Sequence, residues 1–215
     1  RLQPELTLGK FGLGIDLGLE WDQQNKANVQ DWNDPTDIWD KILYARYGKK
    51  GSDPFAIRLG GLNNSTLGHG LIMSGFSNMT FWPDVKQLGV DLAVDTKFAG
   101  VEGIVEDVDK HEIFADRLTI RPLAMQKGLF GKLGLSGSYA VDRRPVDAAL
   151  WSSSALGGDN MIIIYGFDQD LPLVDNSLFR LVQTFDWATV KDYGSAVAGG
   201  FMGKLAMFDY KLEYR

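Results

Sequence analysis

The stretch FDYKLEYR (208–215) alternates strictly: Phe208, Tyr210, Leu212 and Tyr214 are interleaved with Asp209, Lys211, Glu213 and Arg215. A β-strand sends successive side chains to opposite faces, so this segment predicts a strand with one apolar and one charged face. Two solvents fit such a strand. In a soluble sheet the apolar face packs on a core and the charges meet water. In a membrane barrel the apolar face meets lipid and the charges line the interior. The rest of the chain decides between them.

Outward from that segment the same period of two recurs. In FGLGIDLGLEW (11–21), Leu13, Ile15, Leu17, Leu19 and Trp21 share a face opposite Gly12, Gly14, Asp16, Gly18 and Glu20. Leu88, Val90, Leu92 and Val94 oppose Gln87, Gly89, Asp91, Ala93 and Asp95. Val101 and Val105 oppose Glu102, Ile104 and Glu106, and Leu118 and Ile120 oppose Arg117, Thr119 and Arg121. Leu133, Leu135, Gly137 and Tyr139 oppose Lys132, Gly134, Ser136 and Ser138. Phe185 and Trp187 oppose Thr184 and Asp186. Hairpin turns are predicted within 8–12, 95–100 and 203–207, and long polar loops over 22–37, 63–84 and 142–160, with room for a short helix in 146–156. The pattern amounts to roughly 10–12 strands in a single domain, 1–215.

Composition narrows the function classes. There is no cysteine, so neither a disulfide framework nor a thiolate metal site is available. The net charge of −6 comes with no basic run beyond YGKKG (47–51), read as a solvated turn, which argues against a nucleic-acid partner. No apolar run reaches the 18 residues of a transmembrane helix; the longest, MIIIYGF, covers 161–167. A barrel strand needs only about 9–11 residues, half of them apolar. The chain opens on Arg1 without a methionine and is read as a processed or trimmed product.

Three details favour lipid over a soluble core. The polar faces carry glycine, small residues and isolated charges rather than dense Lys, Glu and Thr. Aromatics gather near strand ends, at Trp21, Tyr47, Tyr139, Trp187, Tyr193 and Tyr214, as in the girdles of membrane barrels. Short turns alternate with long loops, another barrel trait. The stretch YARYGKKGSDPFAIRLGGLNNSTLGHGLIMSGFSNMTFWPDVKQLGVDL (44–92) resembles uncharacterised, porin-like outer-membrane β-barrel proteins of diderm (Gram-negative) bacteria. Those proteins run a strand, a short turn, a second strand, a TLGHG-like inward segment and a P-x-V-K-x-x-G entry to the next strand. SLFRLVQTFDWATVKDYGSAVAGGF (177–201) resembles a later hairpin of theirs. The resemblance implies an all-β, antiparallel, up-and-down transmembrane barrel in the cell outer membrane. The last residue, Arg215, departs from the aromatic ending usual for such barrels; the chain is then either a whole barrel or part of a larger one.

The residues expected to carry function are the inner-face charges: Arg58, Asp91, Asp95, Glu102, Glu106, Arg117 and Arg121, as pore-lining groups. Charges inside a barrel must be hydrated or paired. If hydrated, the acidic set Asp91, Asp95, Glu102 and Glu106 makes a cation-favouring patch beside the arginines. If paired across neighbouring strands, the same charges fill a narrow, closed barrel. His69, between glycines in TLGHGL, is expected in the interior as part of a constriction. His69 and His111 are the only histidines, and no ligand spacing surrounds either, so no metal or other cofactor is expected. DWNDPTD (31–37) lacks the glycine and distal glutamate of a calcium loop. No nucleophile elbow, P-loop or dinucleotide fingerprint is present, so no catalytic residue is assigned and no enzyme is expected.

The function expected is a pore or passive transporter for small polar solutes or ions. Outer-membrane lipid is the surrounding partner, and a homo-oligomer or association with other outer-membrane proteins stays open. Two alternatives stand beside it: a closed barrel serving as anchor, adhesin or assembly partner, and a soluble secreted or periplasmic β-sandwich binding module.

Overall fold

The computed structural model describes residues 2–17, 41–82, 84–145, 161–176 and 178–215. Expectations for Leu19, Trp21, the loop at 22–37 and the short helix in 146–156 lie outside them. Twelve strands follow one another: β1 (Glu5–Leu8), β2 (Phe11–Ile15), β3 (Ile42–Tyr47), β4 (Phe55–Gly60), β5 (Gly89–Asp95), β6 (Ala99–Val105), β7 (Ile113–Ile120), β8 (Gly134–Asp142), β9 (Ile162–Asp175), β10 (Phe179–Val190), β11 (Gly194–Leu205) and β12 (Phe208–Tyr214). They form one sheet in sequence order, every neighbouring pair antiparallel. The only helical element among the described residues is a 3-10 turn at Leu129–Lys132. β1 and β12 are the sheet edges and do not pair with each other, so the sheet is not closed into a barrel. The up-and-down, all-β architecture is as the alternation predicts. Closure is the part of the expectation that the strand pairing does not contain.

The connections alternate between the two ends of the sheet. At one end they are 9–10, 48–54, 96–98, 121–133, 176–178 and 206–207; at the other, 16–41, 61–88, 106–112, 143–161 and 191–193. The three longest connections therefore share one end.

Residues directly opposed in an antiparallel pair share a face, so the register traces each face across the sheet. The face bearing Leu13 pairs it with Leu6, pairs Val90 with Leu59, and Leu135 with Ile120. Leu6, Phe11, Leu59, Val101, Leu118, Ile120, Phe167, Phe185, Val197, Phe201 and Leu212 on this face are exposed, Phe11 at 62% and Leu118 at 54%. Two aromatic groups mark its ends. Phe11, Tyr47 and Phe55 cluster by the short turns, with ring centroids 4.8 and 6.0 Å apart. Phe114, Tyr139 and Tyr165 cluster by the long connections, at 5.5 and 5.6 Å.

The opposite face is buried and mostly polar or small: Arg117, Thr119, Ser136, Asp168, Thr184 and Asp186 lie there with Ala56, Ala93, Ala115, Ala140 and Ala198. The long β4–β5 connection covers the middle of this face. It folds back over the inner face and sets Leu62 and Leu67 against Ile104, Ala115 and Ala140, with Ile72, Met73, Phe76 and Ile164 around them. The dry apolar core thus lies inside the polar face and is built largely by a loop. Leu13, Ile15, Leu17, Val90 and Leu135, expected to point outward, are all absent from it.

Candidate functional site

The inward segment is held at both flanks of the sheet. Gly61 N–H donates to the Leu43 carbonyl on β3 (2.7 Å). Asn78, 6% exposed, accepts from Leu62 N–H (2.7 Å) and donates to the Glu106 carbonyl (2.8 Å). Trp82 Nε1 donates to Asp16, just after β2 (2.5 Å). On the far side Ile72 fills the notch left by Gly166 on β9, where a Cβ would stand 2.4 Å from Ile72 Cδ1. Lys211 Nζ on β12 donates to the His69 carbonyl (2.6 Å). One segment therefore touches strands from both ends of the sheet order, and the inner face curves around it.

His69, expected from sequence in the interior, is buried against the polar face of the sheet. Its side chain is 7% exposed, with Nδ1 3.0 Å from Asp186 Oδ1 and 4.0 Å from Asp168 Oδ1. The flanking glycines make the turn possible. Gly68 has φ +53°, and a Cβ there would stand 2.8 Å from the Arg117 side chain; its N–H donates to Glu102 (3.2 Å). A β-carbon would be both strained and crowded at that point.

Arg117 is the hub of the interior. It donates to Asp168 from Nε (2.9 Å) and Nη2 (2.5 Å) and to Glu102 from Nη1 (2.7 Å), with Asp170 at 3.8 Å. The Glu102 pairing follows from register, since the two residues are directly opposed on β6 and β7. Lys50 adds Nζ contacts to Glu102 (2.8 Å) and Asp91 (3.5 Å), and donates to the Thr66 carbonyl of the inward segment (2.7 Å). Arg121 pairs with Asp95 (2.7 Å). Buried charges of this kind are tolerable when matched and hydrogen-bonded, and costly when one partner is missing.

Six of the seven expected pore-lining residues, Arg58, Asp91, Asp95, Glu102, Arg117 and Arg121, line one cavity of about 710 Å³ at the short-turn end. Glu106 does not. Its carboxylate instead accepts from Gln87 Nε2 (3.0 Å). Of the expected acidic patch, Asp91, Asp95 and Glu102 each hold a basic partner, the paired arrangement of the two weighed from sequence.

His69, Asp168 and Asp186 bring ligand atoms within 4.8 Å of one another, the donor set a divalent cation would use among these residues. Both Asp168 oxygens are already held by Arg117, so the arrangement reads first as an ion-pair network. Asp186 Oδ2 is the buried oxygen left without a hydrogen bond in that network.

Sequence reasoning missed Lys50, Asp168 and Asp170 as interior groups. Lys50 belongs to a turn that reads as solvated, yet its side chain reaches inward. Asp168 and Asp170 follow the apolar run 161–167, where alternation is hardest to see. No protein family, curated protein or solved structure matches this sequence.

Proposed function

We propose that this chain is a β-barrel protein of an outer membrane. In this reading the polar inner face, constricted by the segment over 61–82, admits small polar solutes or ions. One observation carries the membrane reading: the large apolar side chains of the strands face outward, while Arg, Asp, Thr and Ser are buried inside. A water-soluble sheet would put its dry core behind the aliphatic face; here that face is bare and flanked by aromatic clusters at both ends, as a lipid-facing surface is. The uneven connection lengths support the same reading. A bilayer leaves no backbone group unpaired, so the two edge strands must be covered there, by each other or by further strands.

The solute reading rests on the 710 Å³ cavity against the inner wall. The test is reconstitution. Purified protein is expected to require detergent, insert into liposomes, and give discrete conductance steps in a planar bilayer. A protein that stays dispersed without detergent and ignores vesicles is instead the soluble binding module. Insertion without conductance favours the second reading, a closed barrel acting as anchor or assembly partner. The observation on that side is that most interior charges are already paired.

A further inference from the structure

The charges around the short-turn cavity do not cancel. Lys49, Lys50, Arg58, Arg117 and Arg121 line it against Asp91, Asp95 and Glu102, five cations to three carboxylates, in a chain whose net charge is −6. The pairings say which cations are spare. Arg117 is taken by Glu102 and Asp168, Arg121 by Asp95, and Lys50 by Asp91 and Glu102. Among the described residues no carboxylate lies within ion-pair distance of Arg58 or of the Lys49 ammonium.

Arg58 is also held in place. Its Nε donates to the Gly61 carbonyl (2.8 Å), and its guanidinium carbon lies 3.6 Å from the centre of the Tyr44 ring. The Tyr44 hydroxyl in turn donates to Glu5 (2.6 Å). The guanidinium is therefore oriented through one edge and one face, and no carboxylate satisfies its two terminal nitrogens. A second cavity of about 300 Å³ shares Lys49, Lys50, Arg58 and Asp91 with the first, so Arg58 stands on the boundary of both. Arg46, which also lines the smaller cavity, is neutralised by Glu5.

We propose that this paired cavity binds a small oxyanion, a carboxylate or phosphate group carried by a small solute, with Arg58 as its principal donor and Lys49 as the second cation. A guanidinium with two free parallel donors matches the fork of a carboxylate or phosphate. The proposal names the solute class of the chamber and so rests on reading that cavity as a solute chamber. Binding itself does not require conduction.

Isothermal titration of the detergent-solubilised full chain at low salt, with succinate and with inorganic phosphate, tests it. Saturable binding of at least one is expected, and the anion that saturates identifies the oxyanion. Arg58→Gln should weaken that binding at least tenfold and Lys49→Gln two- to fivefold, while glycerol, a neutral solute, should not bind. Lys49 is exposed in the β3–β4 connection, so its variant is informative even if Arg58→Gln does not fold. Heat from neither anion, or unchanged binding in both variants, overturns the proposal. Conductance steps without anion binding overturn it too, while leaving the pore reading intact. Anion binding without conductance leaves the oxyanion site standing and removes the pore.

Discussion

At the scale of single residues, the two faces demand opposite things of the same substitution. Leu118 is central on β7 and 54% exposed. Leu118→Lys in a soluble sheet would change stability by only about 0.5 kcal/mol. Facing hydrocarbon it should cost about 2–4 kcal/mol, read from urea unfolding in lipid vesicles. The inner face is not a permissive control. Lysine at Gly89 or Ser136 would be cheap in an open lumen. A Cβ at Gly89, however, meets Asn78 Nδ2 at 2.6 Å and Leu62 at 2.7 Å, and Ser136 is 2% exposed and bonded to Thr119. A second residue-scale prediction concerns the turns. The Lys10 ammonium, 2.6 Å from Asp53, and the Lys49 N–H hold the Asp53 carboxyl below its ordinary range. A depressed carboxylate pKa stabilises the fold above the unfolded value, about 3.9, and loses that contribution as the pH falls through the folded value. Asp53→Asn should therefore lower the unfolding midpoint slightly at pH 7, and the difference from wild type should vanish once the pH falls below the lowered value of the folded carboxyl. A difference that persists in acid would show that the carboxylate charge is not the cause.

At the scale of elements, the strands were legible and the inward segment only partly so. Period-two alternation gave β5, β6 and β7 as consecutive antiparallel strands because their outer faces are continuously apolar, a local signal. The inward position expected of His69 has a different source: TLGHG offers glycine on both sides of a bulky ring. What the sequence could not reveal is who meets His69. Asp186 lies 117 positions away, and no local pattern encodes a contact made by curvature of the whole sheet. Asn78 is the fastener at the other end of the segment. Asn78→Ala would orphan the buried Leu62 N–H and the Glu106 carbonyl, each loss worth about 1–3 kcal/mol. The expected result is faster proteolysis within 61–82 with strand content by circular dichroism unchanged. Loss of the strand signal as well would mean that the segment holds the sheet and is not a separable insert.

At the scale of the whole molecule, β1 and β12 are the two edges that a bilayer would require to be covered. The inward segment reaches the edge strand β12 through Lys211 and comes within one strand of the other edge through Asp16, just after β2. The absence of native cysteine makes the point easy to probe. In a closed antiparallel pairing, Leu6 and Leu8 on β1 run alongside Phe208 and Tyr210 on β12, since Leu8 and Phe208 both adjoin short-end turns. A cysteine scan pairing 6 or 8 with 208 or 210 should form a disulfide within one chain in the membrane-inserted protein. Crosslinks between chains would point to edge pairing of two copies, and none at all to further strands between the edges.

The inward segment also fixes an order of events. Every strand pairs with its sequence neighbour, so the sheet can grow one hairpin at a time through local contacts, the quick kind of folding. The segment cannot keep that pace. It emerges between β4 and β5, while Asp186 and Lys211 belong to β10 and β12. Until those last hairpins arrive, His69 has no seat and its tip must wait unfastened, so the chain's final strands act as the latch for its middle. Protection of the tip around His69 (67–73) in pulse-labelled hydrogen exchange should accordingly appear after that of β5–β8, timed to the docking of β12.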